Sequence, residues 1–135
     1  MNLLARCLYY AYALLLLAIG AAGMLLTRFE LTQIFNVDLT AMGTQPAATF
    51  LNQYAYLKSL EFSFGLFCWF FRHRILAGEP PRFIFLAGIF IGVASRVLST
   101  IEYGTPHWAF LVFGVLEFAC GTLVFVYPQT QRSAL

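Results

Sequence analysis

A chain of 135 residues that is 61% hydrophobic, 18% aromatic and only 10% charged has proportions that no soluble domain of this size carries. Its formal net charge is +2, and the basic residues sit beside apolar runs instead of forming a stripe, which gives nucleic-acid binding no support. The length allows one membrane domain, residues 1–135, and no separate soluble module.

The expected fold is all-α, an integral-membrane four-helix bundle. A hydrocarbon core ~30 Å thick needs about 20 mostly apolar residues per helix. Transmembrane strands would alternate, and these apolar runs do not. The first span, residues 7–26, reads CLYYAYALLLLAIGAAGMLL and holds no charge. Arg6, the Leu-rich run and AIGAAG also have the order of a cleavable leader, but a retained span is expected.

The first connection, Thr27 to Gln53, is long enough to need structure of its own. Leu31, Ile34, Phe35, Leu39 and Met42 approximate one helical apolar face, so a short interfacial helix or lid is expected there. The second span, residues 54–71, carries Lys58 and Glu61. It is followed by the basic turn RHRILAGEPPR, whose paired prolines stop one helix before the next begins. The third span, residues 83–101, carries Arg96, and the fourth, residues 108–127, carries Glu117.

Arg6, Arg72, Arg74, Arg82 and Arg132 flank one side of these spans, with only Arg28 on the other. The positive-inside rule then puts both termini in the cytoplasm and the long first loop outside, in what would be a bacterial inner membrane. Tyr54, Tyr56, Tyr103, Trp108 and Tyr127 at span ends fit interfacial anchoring.

Counting inward from the outer ends at 1.5 Å per residue, Lys58 lies ~6 Å deep, Arg96 ~8 Å, Glu61 ~10 Å and Glu117 ~14 Å. Helical spacing puts each charge on a face with glycine: Lys58 and Glu61 with Gly65, Arg96 with Gly88 and Gly92, Glu117 with Gly114 and Gly121. Charges left facing lipid would cost ~2.5 to 3.5 kcal/mol each, so these faces are expected to meet, with Arg96 bridging Glu61 and Glu117. Lys58 has Glu61, three residues along its own helix, as an alternative partner.

The stretches NQYAYLKSLEFSFGLFCWF, GIFIGVASRVLSTIEYGTPHW and FGVLEFACGTLVFVY resemble three blocks of a bacterial family of small four-span membrane proteins known only as a domain of unknown function. The matching positions are Asn52, Arg96, Ser99, Gly104, Pro106 and Glu117. In the second span, Ala55 or Lys58 and a single Gly65 stand where that family usually has an arginine and paired glycines. The resemblance covers residues 50–127 and implies a fold and a polar cluster, without a function. More distantly, the architecture is similar to an ergosterol-pathway scaffold family and to quinone-linked DoxX-type proteins.

No P-loop, dinucleotide fingerprint, H-E-x-x-H or CxxC is present, and no cofactor is expected. The first functional expectation is therefore a non-catalytic accessory or scaffold subunit in the lipid bilayer, docked on a larger membrane protein or on copies of itself. An alternative is an enzyme or binding protein for a lipid or quinone, with Glu61, Arg96 and Glu117 under a rim of Asn52, Tyr54, Tyr56, Glu102, Tyr103 and His107. A small transporter is the third reading. His107 near Glu102 is too sparse for a metal site, His73 belongs to the basic flank, and Cys7, Cys68 and Cys120 read as small packing residues.

Overall fold

The computed structural model describes residues 3–126, and every ordered element among them is helical. Helix α1 covers Leu3–Leu25, α2 is the single turn Thr27–Phe29, and a π-helical turn, Glu30–Ile34, follows it. Helix α3 covers Thr44–Phe70, α4 Arg72–Ala77, α5 Pro81–Tyr103 and α6 Trp108–Val126. Tyr127 and Arg132, used above as a span end and a topology marker, lie outside the described residues.

Among the described residues three helices, α1, α5 and α6, are long and apolar enough to cross a membrane. Helix α3, the expected second span, has the length but is less apolar, and it starts at Thr44 rather than Tyr54. The reason is local. Gly43 takes a left-handed conformation (φ 73°) that ends the preceding loop, and Pro46 falls in the first helical turn, where a missing N–H costs no hydrogen bond.

The other boundaries follow their chain signals. Gly78 (φ 84°) caps α4, Pro81 opens α5, and Gly104 (φ 91°) closes it. The carbonyl end of α6 is capped from a distance: the Arg82 guanidinium donates to the Val124 carbonyl at 2.9 Å and to that of Phe125. Arg82 was expected only as part of a basic flank; its stronger role is to satisfy carbonyls that a helix end leaves open.

The described chain forms two compact units, one joining residues 3–12 to 68–126 and the other comprising residues 13–67. In the first, Tyr9 and Phe85 are fully buried with ring centroids 5.3 Å apart, and the Tyr9 hydroxyl donates to the Cys68 carbonyl at 2.7 Å. Gly121 lies so close to Ile89 that a Cβ there would stand 2.8 Å from Cγ2, which sets the approach of α5 and α6. Cys68 and Cys120 are buried, as expected of packing residues, whereas Cys7 is exposed.

In the second unit, the C-terminal half of α1 packs on α3. A Cβ on Gly20 would stand 2.5 Å from the Phe62 backbone nitrogen, and one on Gly65 3.0 Å from that of Leu17. The small residues of AIGAAG, which in sequence resemble a leader's cleavage region, are thus a helix-crossing surface. The first loop buries Leu31 and Leu39 and sets Phe35 against Tyr54, while Ile34 and Met42 stay exposed. The apolar face expected there therefore exists in part, carried by a π turn and an irregular stretch.

Candidate functional site

Among the described residues, each unit holds a buried or part-buried cluster of charged side chains, and the first also carries the exposed Arg74–Glu79 pair. In the first unit, Glu117 on α6 is buried and both of its oxygens are occupied. Arg96 Nε donates to Oε2 at 2.9 Å, and the Tyr12 hydroxyl donates to Oε1 at 3.0 Å. The Arg96 guanidinium lies over the Phe113 ring, 5.2 Å from its centroid, and its stem passes Gly114, where a Cβ would stand 3.4 Å from Cδ. The arginine is therefore held through its inner nitrogen, a ring face and a glycine gap.

The second unit holds Lys58, only 4% exposed, whose Nζ donates to Glu61 Oε2 at 2.9 Å. Gly23 makes room for the lysine stem, since a Cβ there would meet Lys58 Cδ at 2.5 Å. The ammonium lies 5.3 Å from the Tyr54 ring centroid, and the Tyr54 hydroxyl donates to Glu30 Oε2 at 2.8 Å. Tyr54, expected as an interfacial anchor, is instead buried inside a group of two acids, one lysine and a phenol.

The expected bridge from Arg96 to two carboxylates is realised toward Glu117; Glu61 takes the lysine one turn before it on α3. An i, i+3 partner on the same helix is available at little entropic cost, which is why it prevails. Among the glycines, Gly65, Gly114 and Gly121 line close contacts. Gly88 is exposed and Gly92 faces open space, so the Gly88–Gly92 pair does not pack against another described helix.

The expected rim is dispersed. Tyr56, Glu102 and Tyr103 are exposed, and Asn52 borders an open groove. His107 accepts from the Ala109 amide through Nδ1 at 3.4 Å, and the Phe110 amide donates to its carbonyl at 2.9 Å, so it caps the start of α6. Among the described residues no group of three or more potential metal ligands assembles.

Tyr12, Glu30, Gly20 and Gly23 are members of these arrangements that sequence reasoning missed. Tyr12 and Tyr9 recur three residues apart on one face of an apolar helix, which was the available signal for a buried hydroxyl.

Three membrane-grade helices among the described residues, with part-buried ion pairs within α3 and between α5 and α6, define a small polytopic membrane protein. Residues 4–127 match the family described as a domain of unknown function, DUF4345, and the chain belongs to that family. The match takes in α1 as well as the later blocks on which the resemblance rested. No curated protein and no solved structure matches the chain.

Proposed function

We propose that this protein is a non-catalytic accessory or scaffold subunit that docks on a larger membrane protein, with α1, α3, α5 and α6 as four spans and both ends of the chain cytoplasmic. The observation that carries this reading is the closure of the buried charges. Glu117 accepts from both Arg96 and Tyr12, and Lys58 is taken by Glu61. A general acid or base needs an oxygen within reach of a substrate proton, whereas both oxygens of Glu117 are taken by donors on α1 and α5, and one oxygen of Glu61 holds the lysine on its own helix.

The outward sides of α5 and α6 supply the surface for such a partner. Phe83, Ile84, Ile91 and Leu98 on one helix and Val115 and Phe118 on the other are all more than half exposed. Purification of the tagged full chain in nanodiscs from its native membrane, with mass spectrometry of what travels with it, tests the reading. A larger membrane protein in fixed stoichiometry, lost in variants such as Ile91→Ser or Val115→Ser, supports it. Recovery of the chain alone, at normal abundance, contradicts it.

A further inference from the structure

The second unit carries an open groove of about 390 Å³ between the end of α1 and the exposed start of α3. Met24, Leu25, Leu51 and Ala55 form its apolar walls, and Arg28 and Asn52 supply polar groups at its edge. Its lining contains one cation and no acidic side chain. The Thr27 hydroxyl is turned away, donating to the Gly23 carbonyl.

Arg28 differs from the other lysine and arginine residues of the described chain. Lys58, Arg74 and Arg96 are ion-paired, Arg72 and Arg82 donate to carbonyls, and Arg6 is engaged. The Arg28 side chain is exposed and, among the described residues, has no hydrogen bond or ion pair. It stands three residues beyond Leu25, the last residue of an apolar helix, within ~5 Å of where that helix ends. That is headgroup level for a helix that spans a bilayer. Leu25 and Phe29 beside it are 83% and 56% exposed, which suits immersion in acyl chains rather than water.

We infer that the groove is a binding site for an anionic glycerophospholipid. The guanidinium fork of Arg28 takes the phosphate oxygens, with Asn52 as a second donor, and one acyl chain lies along Met24, Leu25, Leu51 and Ala55. A headgroup with its own cation finds no acidic partner in the lining, so phosphatidylglycerol is retained over phosphatidylcholine. This inference is independent of the accessory-subunit reading, because a lipid-bound chain can exist with or without a protein partner.

The test is native mass spectrometry of the full chain released from nanodiscs containing equal phosphatidylglycerol and phosphatidylcholine. The wild type retains phosphatidylglycerol preferentially, and Arg28→Gln lowers that retention about tenfold. Ala48→Phe, at an exposed position on the groove, lowers it while keeping the arginine. Arg74→Gln, an exposed arginine elsewhere, leaves it unchanged. Equal retention by Arg28→Gln and wild type, equal retention of the two lipids by wild type, or an equal loss in Arg74→Gln would each overturn the inference.

Discussion

The Tyr12 hydroxyl and the Glu117 carboxylate, 105 positions apart in the chain, meet at 3.0 Å in a buried hydrogen bond. The bond joins α1 to α6 and occupies the carboxylate oxygen that Arg96 leaves open. Tyr12→Phe removes the donor and keeps the ring edge-on to Phe85 and tilted against Phe113. The expected loss is about 1 kcal/mol, read as a lower thermal midpoint in detergent or nanodiscs. An unchanged midpoint would mean that the hydroxyl carries no stabilising bond.

Two glycines separate close packing from mere smallness. Gly20→Ala drives a methyl against the Phe62 backbone and is expected to cost about 2 kcal/mol. Gly92→Ala meets nothing within 4 Å and should stay within about 0.5 kcal/mol of wild type. Thermal unfolding of both variants checks the contrast, and equal effects would refute it.

The cap that Arg82 provides should be visible locally. Arg82→Gln shortens the donor and removes its charge from the carbonyls of Val124 and Phe125, at an expected cost of about 1 kcal/mol. Hydrogen exchange should rise in the last turn of α6 and stay constant near its His107 cap. Uniform exchange along α6 would contradict the capping role.

Asp38 gives a pH prediction outside the membrane-spanning helices. Its carboxylate accepts from the Thr40 hydroxyl and from the Thr40 and Ala41 amides, which holds its pKa below the usual carboxylate value. A carboxyl depressed in the folded state contributes fully above its unfolded pKa and loses that contribution as pH falls through the folded one. The Thr40 and Ala41 amide resonances should therefore hold down to about pH 4 and move only below it. A transition centred above that value would show that the turn does not favour the ionised form.

The helix ends were legible because Gly and Pro act through the backbone alone: EPP before α5 and the Gly104 turn before α6 mark their boundaries without help from packing. The pairing of Arg96 with Glu117 was legible from the glycine-bearing helix faces that both occupy, whereas depth alone favoured Glu61, which pairs with Lys58 instead. Glu30 was not, since a residue just past a span counts as solvated until the π turn brings it to Tyr54. Gly20 was missed for a related reason: a small-residue cluster looks the same whether it awaits a protease or a neighbouring helix. The Gly88–Gly92 spacing shows the converse, a packing motif on a face that no described helix covers.

The Arg96–Glu117 pair joins α5 to α6 and is expected to stabilise that contact. A double-mutant cycle of Arg96→Gln and Glu117→Gln, read by thermal unfolding of the full chain in nanodiscs, tests it most directly. Each single variant strands a charged or polar partner, whereas the double variant strands none. Because Arg96 keeps about a third of its side chain exposed, the expected coupling is discounted to about 2 kcal/mol, with the double variant more stable than the sum of the singles. A coupling within about 0.3 kcal/mol of zero would contradict the account, because the pair would then be present without holding α5 to α6.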